Sequence, residues 1–132
     1  MWLLAYWTAR KTPTIEFSST LRDKYGEEEK LIYEFKDRGG RDLALRYDLT
    51  VPLARYVATY NPKLPFRRWQ IGQVFRGENP QHGRYREFTQ FDFDTVGSAN
   101  LEDDAKIIAT AIKAVRELGL NRATMGINHR NF

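Results

Sequence analysis

The residues best suited to chemistry lie in one run, Phe75-Arg76-Gly77-Glu78-Asn79-Pro80-Gln81-His82-Gly83-Arg84-Tyr85-Arg86-Glu87-Phe88-Thr89-Gln90-Phe91-Asp92-Phe93-Asp94. An arginine ends an apolar strand. A turn-rich basic loop follows, and Gln90, Asp92 and Asp94 then recur at every second residue. Strand alternation places those three on one sheet face. The planar guanidinium of Arg76 can hold two phosphate oxygens or a carboxylate. A site that takes a nucleotide together with an amino acid needs this combination. Each piece also has a plainer role. An arginine at a strand end is usually a surface residue. Two acids on one strand face usually meet water or a cross-strand arginine, because neighbouring carboxylates repel and a buried pair needs a cation.

Arg46-Tyr47-Asp48-Leu49-Thr50 forms a second candidate, joining a strand to a helix. Asp48 and Thr50 could contact an ammonium group; for this stretch alone, helix capping by Thr50 is the commoner role. Other chemistries lose support. The loop 77–83 lacks the glycine spacing and lysine of a P-loop. His82 and His129 are the only histidines and cysteine is absent, which argues against a zinc site or a Ser-His-Asp triad. No metal ligand set is expected.

These residues need elements to carry them. Residues 66–75 read as a strand with Trp69, Ile71, Gln73 and Phe75 on one face and Arg68, Gln70, Gly72, Val74 and Arg76 on the other. Residues 86–96 read as the returning strand. Phe91 and Phe93 form the natural packing side of this sheet, and Gln90, Asp92 and Asp94 lie opposite. Upstream, 13–20 reads as an edge strand and 21–30 as a solvated helix or loop. Residues 31–36 and 42–46 read as a hairpin around Arg38-Gly39-Gly40-Arg41. Residues 50–59 read as a helix with Pro52 in its first turn and Asn61-Pro62 as its stop. Residues 101–118 form the strongest helix, capped by Asn100, ended by Gly119, with an apolar stripe of Ala105, Ile108, Ala111, Ile112, Val115 and Leu118. Residues 124–128 read as one more strand. The order predicts an α+β fold, an antiparallel sheet with flanking helices.

The totals agree with an ordered chain. In 132 residues, 42% are hydrophobic and 14% aromatic, enough for one domain with a core. No apolar run approaches ~18 residues, so no membrane span is expected. Absent cysteine fits a reducing, cytoplasmic setting. Net charge is +4, a small excess. Its distribution is more telling: residues 63–86 hold Lys63, Arg67, Arg68, Arg76, Arg84 and Arg86 against Glu78 alone. Such a run can attract phosphates, although a solvated basic edge is the simpler reading. Met1 to Trp7 is apolar but short, with no basic region before it, a poor fit to a signal peptide.

Val74-Phe75-Arg76 through Gly83-Arg84-Tyr85-Arg86-Glu87-Phe88-Thr89-Gln90 and on to Asp94 resembles motif 2 of class II aminoacyl-tRNA synthetases, in the version of the histidyl-tRNA synthetase family. The block from Leu45 to Tyr56 resembles a second motif of that family, at the expected distance. Thr12-Pro13-Thr14-Ile15-Glu16 resembles the end of motif 1, and Gly126-Ile127-Asn128-His129-Arg130 a later strand. The resemblance implies a class II catalytic core, here incomplete over 1–132, with no anticodon-binding domain. It implies formation of histidyl-adenylate from L-histidine and ATP with magnesium, and transfer to tRNA(His), by a protein that is usually a homodimer. Arg76 would be the catalytic residue, on the ATP α-phosphate. Asp48, Leu49, Thr50, Gln90 and Asp94 would bind histidine, and Arg76, Glu78 and Arg84 would bind ATP. The residues before Thr12 depart from the family. No Arg-Gly-Leu-x-Tyr-Tyr block or motif 3 arginine follows, so a fragment is expected. The regulatory subunit of ATP phosphoribosyltransferase, which shares this fold without charging tRNA, is the alternative, and an RNA-binding module without catalysis a further one.

Overall fold

The computed structural model describes residues 7–79 and 81–128. The readings for Met1–Tyr6 and for His129 and Arg130 lie outside them. In chain order come β1 (Thr8–Ala9), β2 (Ile15–Phe17), the short helix α1 (Ser18–Leu21), a 3-10 helix (Gly26–Leu31), β3 (Glu34–Lys36) and β4 (Asp42–Leu45). Then follow α2 (Thr50–Tyr60), β5 (Phe66–Phe75), β6 (Glu87–Val96) and α3 (Leu101–Glu117). Two three-stranded sheets result, in the orders β1-β5-β6 and β2-β4-β3. The fold is α+β as expected. Every pairing is antiparallel except that of β1, which runs parallel to β5.

The long hairpin obeys its alternation but buries the other side. β5 and β6 pair from Phe66↔Val96 to Phe75↔Glu87. The aromatic face was expected inside, yet Ile71 is 52% and Phe91 40% exposed. Arg68 and Val74 are fully buried, and Gln70 nearly so. The reason is the placement of α2, whose N-terminal approach crosses the polar face. There Arg68 Nη2 donates to the Leu49 carbonyl at 2.9 Å, and Tyr56 of α2 stacks on Phe66 with ring centroids 5.7 Å apart. Polar side chains tolerate burial when they find partners, and Gln70 finds Thr12 Oγ1 at 3.1 Å.

Gly72 makes room on this face. A Cβ there would stand 2.6 Å from Arg46 Nη2. The Arg46 guanidinium cannot retreat easily, because Nε donates to the Gln73 carbonyl at 2.7 Å and Nη1 to the Thr12 carbonyl at 2.8 Å. Arg46 therefore staples the end of β4 to β5 and to the segment after β1.

Helix ends follow sequence logic with one correction. Leu49 takes the N-cap position of α2, and no side chain there makes a capping bond. Thr50, expected as the cap, is already inside the helix. Asp48 does the work instead: its Oδ1 accepts from the Thr50 and Val51 amides, both at 3.1 Å. Asn61 ends α2 in the left-handed region at φ 42°. On α3, Asn100 accepts from the Glu102 amide at 2.9 Å, as expected. Asp103 and Thr110 are its buried residues, while Leu118 of the expected stripe is 80% exposed. Asp103 is held by Arg67 at 2.8 Å and by Ser98 Oγ at 2.6 Å, so an ion pair moors the first turn to β5.

Short elements depart most from expectation. The edge strand shrinks to Ile15–Phe17 before α1, the charged stretch becomes the 3-10 helix, and the first hairpin strand begins only at Glu34. Residues 124–128 adopt no regular element. Neighbouring strands support ten-residue pairing along β5 and β6, whereas three-residue segments are set by local turns and contacts too weak to leave a sequence pattern.

Candidate active site

Arg76 closes β5 and opens the loop. Its backbone amide donates to the Arg86 carbonyl at 2.9 Å, sealing the hairpin. Its guanidinium lies between two rings, with Cζ 4.4 Å from the Tyr47 centroid and 5.2 Å from Phe88. Nε donates to the Tyr47 carbonyl at 3.2 Å. Among the described residues no carboxylate comes within ion-pair distance of it. A cation held by π faces and one carbonyl keeps its two Nη groups for an anion.

The polar face next to it is anionic. Asp94 and Asp92 of β6 lie across from Arg68 and Gln70, and Gln90 lies across from Gly72. Arg68 Nη2 stands 2.9 Å from Asp94 Oδ2, a charge contact without hydrogen-bond alignment. Burial lowers the Arg68 pKa, and Asp94, Asp92 and Asp48 oppose that. Burial raises the Asp92 carboxyl; Arg68 pulls it back, Asp94 and Asp48 push it up, and Arg76 lowers it. Burial raises Asp94 as well, with Arg68 opposing and Asp48 adding. Three carboxylates thus share essentially one buried arginine. Gln90 Oε1 and Thr95 Oγ1 are buried without hydrogen-bond partners. Unmatched carboxylates beside an unsatisfied amide oxygen favour a ligand that brings positive charge and N–H donors.

A cleft of about 630 Å³ opens between α2, β6 and α3, with Thr50, Leu53, Val57, Asp94 and Ile107 among its walls. Two expected histidine-site residues, Thr50 and Asp94, therefore face one space. Asp48 sits at the helix start, and beyond its amide bonds it accepts from Tyr25 Oη at 2.9 Å. Leu49 is fully buried, so it offers packing and a carbonyl already taken by Arg68. Glu78 and Arg84, expected at ATP, bind each other at 3.1 Å, and Arg86 Nε donates to the Glu78 carbonyl at 3.0 Å. They order the loop beyond Arg76. The basic run is in part internally neutralised, since Arg67, Arg68 and Arg84 all pair with acids. Among the described residues no group of three or more His, Cys, Asp or Glu could hold a metal ion. No described helix is long and apolar enough to cross a membrane.

Sequence reasoning missed the supports. Arg46 and Tyr47 lie inside the second block, but nothing in the pattern marked their contacts. Arg68 read as a member of the solvent-facing basic run. Tyr25 carried no signal at all, because its contact with Asp48 spans 23 positions through a region without regular pattern.

An arginine at the root of a β-hairpin loop, beside an acidic sheet face, on a mixed sheet flanked by helices, is the arrangement expected of a class II aminoacyl-tRNA synthetase catalytic core. Solved structures agree. Histidyl-tRNA synthetase from Nostoc sp. PCC 7120 matches 87% of this chain and 27% of its own, with 34% identity and a TM-score of 0.71. The apo S. aureus histidyl-tRNA synthetase matches 90% of this chain and 28% of its own, with 26% identity and a TM-score of 0.72. The family model described as histidyl-tRNA synthetase matches residues 10–132, and the chain belongs to that family. The histidine–tRNA ligase of Helicobacter acinonychis is 54% identical over 125 residues, 92% of this chain. That of Borreliella burgdorferi strain ZS7 is 57% identical over 113 residues, 83% of this chain. The chain spans 28% and 25% of those relatives' lengths.

Proposed function

We propose that this chain is the part of a histidine–tRNA ligase that activates L-histidine with ATP, ahead of transfer to tRNA(His). One observation carries the reading: a ring-bracketed, carboxylate-free Arg76 stands beside the sheet face of Gln90, Asp92 and Asp94. The first suits an α-phosphate, the second an amino acid's ammonium group. In the step, a histidine carboxylate oxygen bonds to the α-phosphorus and the bond to the pyrophosphate oxygen breaks. Negative charge gathers on the α-phosphate oxygens, and Arg76 meets it with no reorganisation, since rings and carbonyl already aim it. Asp48, Thr50, Gln90 and Asp94 hold the amino acid, with Leu49 packing behind them. Glu78 and Arg84 shape the nucleotide end. Magnesium would accompany ATP on its phosphates and supply charge neutralisation there, since among the described residues no group of three or more His, Cys, Asp or Glu could hold it. The complete enzyme is a cytoplasmic homodimer on this reading.

The test is histidine-dependent ATP–pyrophosphate exchange by the natural polypeptide that carries this sequence. Arg76→Ala is expected to lower the exchange rate roughly 100- to 1,000-fold, the usual loss when one charge-stabilising donor is removed. Exchange that ignores histidine, or survives the substitution, removes the proposal. Absence of exchange in the parent would remove it too, and would favour the alternative of a non-catalytic regulatory subunit. That reading has one point of support, a structure from Bacillus halodurans C described as an ATP phosphoribosyltransferase regulatory subunit/histidyl-tRNA synthetase, 28% identical with a TM-score of 0.76.

A further inference from the structure

We propose that Tyr25 is a positioning residue that aims both ends of the site, Asp48 directly and Arg76 through the Tyr47 ring. The inference rests on the function proposed above. Four contacts join one short segment, Tyr25 to Leu31, to three neighbouring residues of the site, Asp48, Tyr47 and Gly77. Tyr25 Oη donates to Asp48 Oδ1 at 2.9 Å. The Tyr25 ring lies against the Tyr47 ring with centroids 4.7 Å apart, and Tyr47 is the ring beneath Arg76. Tyr47 Oη in turn donates to Glu28 Oε2 at 2.7 Å. The Leu31 carbonyl accepts from the Gly77 amide at 2.7 Å, at the first residue past Arg76. A Cβ on Gly77 would meet that carbonyl at 3.2 Å, so the approach leaves little room.

Both phenols act as donors. Burial, reinforced by Asp48, keeps Tyr25 protonated. Burial, with the bond to Glu28, pushes Tyr47 up to about 12. The hydroxyl and the ring of Tyr25 therefore have separable jobs. The hydroxyl restrains a carboxylate that must meet an ammonium group. The ring backs the aromatic plate on which the phosphate-binding guanidinium rests.

Substitution separates them in the exchange assay on the natural polypeptide. Tyr25→Phe keeps the ring and removes the bond to Asp48. It is expected to raise the KM for histidine roughly tenfold, the usual weight of a hydrogen bond to a charged group, with kcat and the KM for ATP within about twofold of the parent. Tyr25→Leu also removes the plate's support and is expected to lower kcat as well. A parent without histidine-dependent exchange would remove the proposed function, and this inference with it. An active parent whose Tyr25→Phe variant keeps its histidine KM, or loses histidine and ATP affinity alike, would overturn the positioning role alone. Should Tyr25→Leu fail to fold, the split in Tyr25→Phe still decides.

Discussion

At the scale of single residues, the site is a problem in charge accounting. Asp48 pushes up both Asp92 and Asp94, Asp94 pushes up Asp92, and all three act on Arg68. Asp92 shows the sign most clearly. Its folded pKa lies above the ordinary 3.8, chiefly from burial. The folded chain thus keeps a proton that the unfolded chain releases, and stability falls as pH rises from the unfolded value through the folded one. Above that window the cost is fully present. Asp92→Asn removes it and leaves Arg68 its contact with Asp94. The variant is expected to unfold at a higher temperature than the parent near neutral pH, with the difference shrinking as pH falls toward about 4, the ordinary carboxyl range. Thermal unfolding followed across that range checks this, and an unchanged or lower midpoint at neutral pH would contradict the burial argument. Asp94→Asn makes a poorer probe, since it strips a buried arginine of its nearest acid.

At the scale of elements, Asp48 has two duties, as helix cap and as part of the acidic cluster. They can be told apart. Asp48→Asn keeps an oxygen for the Thr50 and Val51 amides and removes the charge. It should leave thermal stability nearly unchanged while weakening histidine binding roughly tenfold or more. Asp48→Ala should add a loss of about 1 kcal/mol of stability from the missing cap. Denaturant unfolding beside histidine titration distinguishes the two; equal stability losses would mean that the cap matters no more than the charge. The elements also show what was legible beforehand. β5, β6, α2 and α3 were readable nearly to their ends, because length and periodicity accumulate over ten or more residues. Which sheet face would be buried was not. Hydrophobicity favoured Phe91 and Phe93, but the approach to α2 meets Arg68 at the Leu49 carbonyl and the segment after β1 meets Gln70 at Thr12, partners far along the chain. The named site residues Arg76, Asp48, Gln90 and Asp94 fell on two contiguous blocks. The aromatic plate and Tyr25 did not, since a ring contact leaves no spacing rule.

At the scale of the molecule, the exposed side of the long hairpin sets behaviour in solution. Among the described residues β6 pairs only with β5, so its outer edge has no strand beside it. Ile71 and Phe91 stand exposed on the adjoining face. An open edge next to an apolar face favours association. The 132-residue chain by itself is expected to sediment as larger species as concentration rises, and Phe91→Lys to shift it toward monomer. A concentration-independent monomer in sedimentation velocity would show that this face is quiet.

The bed of the arginine lends itself to one more deduction. Tyr47 carries the guanidinium on both its ring and its carbonyl, and the very next residue is the carboxylate assigned to the amino acid. On the proposed reading the offset between nucleotide and amino acid is ruled by a single peptide unit, about 3.8 Å from Cα to Cα. That ruler is covalent and does not stretch. Attempts to admit a bulkier amino acid would have to carve the β6 side of the cleft, because lengthening the Tyr47–Asp48 side would pull the two reactants out of step.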